Sequence, residues 1–156
     1  MYIDNVKFAK QQKELRGELD LKQLLRVQEL EDYTGKVNYE ITGLVDNLNR
    51  PTLDLKIYGT ITTLCQNCLQ PMSLTLDNTS RVTVFYNEEQ LDHALFSDES
   101  SGVEDGILCE EEFDVLNFLE AEVIILLPYA AKHEECIGLG YQDNEDSPFN
   151  VLKNIT

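Results

Sequence analysis

Apolar and polar residues alternate with period two through the middle of this chain. In KVNYEITG, residues 36–43, Val37, Tyr39 and Ile41 interleave with Asn38, Glu40 and Thr42. In TLDLKIYGTIT, residues 52–62, Leu53, Leu55, Ile57 and Ile61 share one face, and Asp54, Lys56 and Tyr58 take the other. Met72, Leu74 and Leu76 resume the alternation, followed by Val82, Val84 and Tyr86. Successive side chains on a strand point to opposite faces, so this spacing predicts half-buried antiparallel strands. The intervening DNLNRP, residues 46–51, is turn chemistry.

Other stretches carry helical spacing. Leu21, Leu24 and Leu25, with Leu30 beyond, predict a short helix within 19–30, and Asp20 is placed to cap it. In EEFDVLNFLEAEVIILLP, residues 111–128, Phe113, Leu116, Leu119 and Val123 line one face, extended by Ile124 and Leu127. Asp114 suits the N-cap, the acidic entry suits the helix dipole, and Pro128 closes the segment. The bulky run 123–127 also fits a strand; the helix is preferred. Glu120 and Glu122 lie two apart and so point away from each other on a helix, which argues against a catalytic carboxylate pair and for a solvated flank. Ser147 and Pro148 form a helix-start signal, with Phe149 and Leu152 available to dock it.

The expected architecture is an α+β domain. A mostly antiparallel sheet, able to curl into a partial barrel, is flanked by an N-terminal helix, a long acidic loop and C-terminal helices. One domain, 1–156, would divide into a helical segment 1–35, a β-rich core 36–86, an acidic mobile loop 87–112 and a helix with tail 113–156. A chain of 156 residues is long enough for one buried core.

The chemistry concentrates in cysteines. TLCQNCLQP, residues 63–71, puts Cys65 and Cys68 at the tip of a predicted hairpin. A redox Cys-x-x-Cys opens a helix beside a βαβ pattern, and nothing here reads as βαβ. A hairpin tip with two thiolates is instead a common half of a structural zinc site. HEEC, residues 133–136, supplies the other half, so Cys65, Cys68, His133 and Cys136 can form a Cys₃His tetrahedron. The competing reading is a bare thiol pair with an incidental histidine. Cys109, among carboxylates, is expected to be inert, and His93 to be a loop or frayed-helix residue rather than a ligand. No Gly-rich phosphate loop, GxSxG or HExxH is present, and no nucleophile–base–orienter set assembles, so an enzyme is not expected.

Charge alters the picture further. There are 29 acidic residues against 12 basic ones, a formal net charge of −17. From Val82 to Ala131 the chain carries acids but no Lys or Arg. The loop residues Glu88, Glu89, Asp98, Glu99, Glu104, Asp105, Glu110, Glu111 and Glu112 are candidates for binding a basic partner. Simple solubility is the competing reading. The basic residues cluster early, at Lys7, Lys10, Lys13, Arg16, Lys22 and Arg26. With no apolar run near the ~20 residues of a membrane span and no apolar leader in MYIDNVKFAK, a cytoplasmic protein with reduced thiols is expected.

The order of these features resembles the YceD family, the large ribosomal RNA subunit accumulation proteins of bacteria, with plastid relatives. Cys65, Cys68, Leu69 and Pro71 match its C-x-x-C-L-x-P; Asp114, Glu120, Glu122 and Pro128 match its acidic helix and closing proline; Ser147, Pro148 and Phe149 match its C-terminal end. The chain departs from it at Ala121, at Tyr129-Ala130-Ala131 where a Val-Pro step is usual, and at Gly140 and Tyr141 where some relatives carry cysteines. The resemblance implies a non-enzymatic role in synthesis, processing or stability of 23S ribosomal RNA. Joined to the charge, it points to a ribosomal protein or pre-ribosomal particle as partner, rather than naked RNA, a membrane or a small-molecule substrate. Two alternatives rank below it. One is a zinc-stabilised RNA-binding module using the basic N-terminal segment, with Tyr39 or Tyr58 as a stacking surface. The other is a thiol enzyme using Cys65 and Cys68.

Overall fold

The computed structural model describes residues 1–30, 33–96, 103 and 105–136. Its strands are β1 (Tyr2–Ile3), β2 (Glu14–Asp20), β3 (Thr34–Val45), β4 (Pro51–Leu64), β5 (Pro71–Phe85), β6 (Asp105–Leu108) and β7 (Phe113–Asp114). Its α-helices are α1 (Asn5–Lys10), α2 (Leu25–Gln28), α3 (Glu88–Phe96) and α4 (Val115–Leu126), with a 3₁₀ turn at Leu21–Gln23.

The five-stranded sheet runs β2-β3-β4-β5-β6. It is antiparallel except where β6 joins β5 in parallel, with Val82 opposite Asp105. The sheet is open: β2 and β6 are its two ends, and it does not close into a barrel. Beside it lies a short ladder between β1 and β7.

The alternation read from the sequence sorts the two faces. Leu53, Leu55, Ile57 and Ile61 on β4, with Val37, Tyr39 and Ile41 on β3, are all buried. They meet Phe8 and Ala9 of α1, Leu21, Leu24 and Val27 around α2, and Val115, Leu119 and Val123 of α4. The opposite face carries Arg16, Glu40, Asp54 and Arg81, tied by Arg16–Glu40 and by a two-pronged Arg81–Asp54 pair at 2.6 and 2.7 Å. The fold is thus two layers, with α1, α2 and α4 contributing to the core on one face of the sheet.

Three segments differ in detail from the sequence reading. Residues 19–30 are not one helix. Asp20 does cap, accepting from the Lys22 N–H at 3.0 Å, but the turn it starts stops at Leu24, which is extended. Leu19, Leu21, Leu24 and Val27 reach the core from a strand, a turn, an extended residue and a short helix, while Leu25 and Leu30 are exposed. The segment before them holds β2, whose period-two pattern is interrupted by Gly17. A Cβ there would fall 2.7 Å from the Tyr39 hydroxyl, so the Tyr39 ring would have to shift. Gly43 answers a second close approach, since a Cβ would lie 2.5 Å from the Phe8 carbonyl oxygen where α1 crosses β3. The acidic stretch 87–112 is ordered over its described part. Asn87 accepts from the Gln90 N–H at 2.8 Å to start α3, which includes His93, and Asp105–Leu108 add a strand to the sheet. The acids hid both elements because they occupy the solvent side of short segments.

Candidate metal centre

β4 ends at Leu64 and β5 begins at Pro71, directly opposite it in register. The six residues between fold into a compact turn. The Cys65 N–H donates to the Gln70 carbonyl at 2.9 Å, and the Leu69 N–H to the Cys65 carbonyl at 2.8 Å. Leu69 is left-handed, with φ +58°. That conformation is unfavourable for a side chain bearing a Cβ by about 1–2 kcal/mol. It turns the chain back so that both thiols stay on the same side.

α4 delivers the second half. Asp114 caps it, accepting from the Leu116 and Asn117 N–H groups at 3.0 and 3.4 Å. Beyond its end, the Pro128 carbonyl accepts from the Tyr33 hydroxyl at 2.7 Å. The Gln66 N–H then donates to the Ala131 carbonyl at 2.8 Å, and the Asn67 amide to the Cys136 carbonyl at 3.2 Å. These bonds hold residues 131–136 against the hairpin tip. The Cys136 N–H donates to the His133 carbonyl at 3.3 Å, turning His133 and Cys136 toward one point.

All four expected ligands come together. One donor atom from each of Cys65, Cys68, His133 and Cys136 lies within 4.8 Å of every other. The Cys65 and Cys136 sulfurs are 3.6 Å apart, and the Cys68 sulfur is 3.5 Å from His133 Nδ1. With Zn–S bonds near 2.3 Å, a tetrahedron has S···S edges of about 3.8 Å. The donors therefore already stand at coordination spacing, and no disulfide joins them. The group could hold a metal ion.

The electrostatics fit a cation as well. Burial opposes ionisation of Cys65, yet the backbone N–H groups of His133, Cys68 and Asn67 and the Cys136 thiol outweigh it, bringing its pKa down to about 5. Burial, then the neighbouring Cys68 and Cys65 sulfurs, push Cys136 up to about 11. A thiolate forms readily at Cys65 and disfavours ionisation at Cys136. A dication at their centre removes that repulsion and lets all three thiols ionise.

The remaining expectations divide. Cys109 and His93 are not among the four clustered donors; the Cys109 sulfur lies 3.8 Å from the Tyr86 carbonyl. Glu88, Glu89, Asp105, Glu110, Glu111 and Glu112 are exposed. Asp98, Glu99, Glu104, Ser147, Pro148 and Phe149 lie outside the described residues. Tyr39 is buried in the core, so it offers no stacking surface; Tyr58 lies on the polar face, bonded to Glu40 and beneath the Lys56 ammonium. Of the early cations, Lys7 pairs with Asp4, Arg16 with Glu14 and Glu40, and Arg26 with Glu120.

Glu120 and Glu122 point apart as expected, but they are buried rather than solvated. Glu120 accepts from the Arg26 backbone N–H at 2.6 Å and from its Nε at 3.0 Å, joining α4 to α2. Arg26 also donates to the Asn117 carbonyl and side-chain oxygens, each at 2.9 Å. Sequence reasoning missed Arg26, and only the acid's placement within an apolar helix hinted at a partner. It also missed Asn5, fully buried, whose side chain donates to the Leu108 carbonyl at 2.9 Å and accepts from the Glu110 N–H at 3.0 Å.

Glu122 accepts from the Ser80 hydroxyl at 3.0 Å. Burial raises its pKa above the ordinary range, the Ser80 bond opposes this, and the Asp105 charge adds to it. A carboxyl raised in the folded state stabilises when protonated. That contribution is complete below the unfolded Glu value and is lost as pH rises through the folded one. Glu122→Gln is therefore expected to match or exceed the parent's unfolding free energy at neutral pH, with the gap narrowing toward pH 4. A urea titration at both pH values checks this, and a Gln variant clearly weaker at neutral pH would contradict it.

No helix among the described residues is long and apolar enough to cross a membrane. No curated protein and no solved structure matches the chain. A family model described as large ribosomal RNA subunit accumulation protein YceD matches residues 53–155. That span contains the hairpin, α4 and all four clustered donors, and so the chain belongs to the YceD family of large ribosomal RNA subunit accumulation proteins.

Proposed function

We propose that this protein is a non-enzymatic accessory factor in the synthesis, processing or stability of large-subunit ribosomal RNA. The observation that carries the reading is the family match, since the family is named for accumulation of that RNA and not for a catalysed reaction. We place it in the cytoplasm and give the four-donor cluster a structural zinc. Its three sulfurs and one imidazole nitrogen suit zinc, and it has no donor set for a hard oxygen-seeking ion.

The charge favours contact through a protein. At −17 the chain repels the RNA backbone, and several of its cations are already paired internally. A basic ribosomal protein, free or within a pre-ribosomal particle, suits the exposed acids at Glu88, Glu89, Asp105 and 110–112. Asp98, Glu99 and Glu104 belong to the same acidic sequence. The RNA-binding alternative has less support, because Tyr39 is in the core and Arg16 and Arg26 are engaged.

Disrupting the gene in its host is expected to lower mature large-subunit RNA relative to small-subunit RNA. A pull-down at low and moderate salt is expected to capture basic ribosomal protein, with capture weakening as salt rises. An unchanged RNA ratio would overturn the role. Salt-insensitive binding to naked ribosomal RNA, with no basic protein captured, would overturn the partner class.

A further inference from the structure

Next to the metal centre lies an apolar groove of about 290 Å³. Leu30, Tyr33, Ile124, Leu127 and Tyr129 line it, together with Gln66 of the cysteine hairpin. Its walls are fixed: Tyr33 is bonded to the Pro128 carbonyl, and Gln66 to Ala131. Yet its rim is uncovered among the described residues, with Tyr129 wholly exposed and Leu30 about half exposed. Large apolar side chains held open around a rigid cleft mark an anchor site for another molecule.

The charge around it selects the occupant. In the sequence Leu30 sits within Glu29-Leu30-Glu31-Asp32, and Tyr129 is followed closely by Glu134 and Glu135, with Lys132 as the one cation between 82 and 152. Glu29, Glu134 and Glu135 are exposed. An apolar cleft near the exposed Glu29, Glu134 and Glu135 complements a basic segment carrying one apolar side chain.

We propose that this groove docks a Lys/Arg-rich protein segment through a single aliphatic or aromatic anchor residue. The proposal rests on the reading above that the partner is a basic protein, and it assigns that partner a place on the surface. The metal centre then acts as a positioning device. Gln66 and Ala131, which join groove to cluster, keep their spacing only while the hairpin and residues 131–136 are clamped together.

The probes are two short synthetic Lys/Arg-rich peptides, identical except for a central Leu or Ala, titrated against the full chain. The Leu peptide is expected to bind about tenfold tighter, as burying a Leu side chain in place of Ala predicts. Tyr129→Ala, at an exposed position that leaves the core intact, is expected to abolish that preference while the salt dependence remains. The double variant Glu134→Gln, Glu135→Gln is expected to weaken both peptides alike and flatten the salt dependence. Equal binding of the two peptides, or a preference that survives Tyr129→Ala, overturns the groove while leaving a basic partner intact. Failure of both peptides to bind at low salt overturns the basic-partner reading itself. Self-association lost in Tyr129→Ala would assign the groove to a second copy. A Leu preference gained only on deleting residues 137–156 would assign it to the chain's own C-terminal residues. Either overturns the proposal.

Discussion

Replacing Arg26 by alanine is expected to destabilise the protein by about 3 kcal/mol, lowering Tm by roughly 6–12 °C. Arg26 is itself partly exposed, and an exposed ion pair contributes little. The loss comes from Glu120. Its carboxylate is almost buried between α4 and α2 and takes two bonds from Arg26, one from the backbone and one from the guanidinium. Removing the side chain leaves a buried anion with one donor and frees the Asn117 oxygens as well. Adding Glu120→Leu to the Arg26 variant is expected to recover part of the loss, because no buried charge then remains. Differential scanning calorimetry on the two variants decides it. An Arg26→Ala protein within 0.5 kcal/mol of the parent, by the usual range for surface substitutions of roughly ±0.5 kcal/mol, would contradict the account.

Loss of the metal centre is expected to have the larger effect. A site holding its ion at about 1,000 times its dissociation constant stabilises by about 4 kcal/mol, which for a domain of this size is roughly 8–16 °C in Tm. Cys68→Ala or a strong chelator removes that contribution. The change should be local first. Residues 131–136 are bound to the hairpin mainly by Gln66, Asn67 and the cluster itself, so protease sites there should open before the sheet melts. The hydrophobic core around Leu55, Ile57 and Leu119 persists, so the apo protein should remain folded, unlike a zinc finger. Identical melting with and without chelator would contradict this.

Much of the sheet was legible because one face of β3 and β4 is buried and the other is wet, and period two records that difference directly. α4 was legible for a similar reason, and Asp114 caps it as its position suggested. The first thirty residues were not, because Leu19, Leu21, Leu24 and Val27 all reach the core through three different local conformations. Their spacing imitates a helix without forming one. α3 and β6 were masked by a run of acids on their solvent sides, and parallel pairing of β6 leaves no local turn signature. The four metal donors were legible from spacing within each pair. What joined the pairs was not, since Tyr33, Gln66 and Asn67 act through backbone carbonyls that no sequence pattern records.

The two halves of the account meet at the hairpin. The stretch from Cys65 to Pro71 is a turn, closed by a left-handed Leu69, that brings two thiols to a second pair that follows α4. α4 is a staple, through Glu120 to Arg26 and Glu122 to Ser80. Both stretches fix neighbouring segments in place.

The most direct test of that account is the zinc content of the full chain, purified without chelator, beside that of Cys136→Ala. The account predicts one equivalent of zinc in the parent and a marked loss in the variant, with the parent's Tm falling on chelation. A parent that takes up no zinc even after incubation with the metal would contradict it.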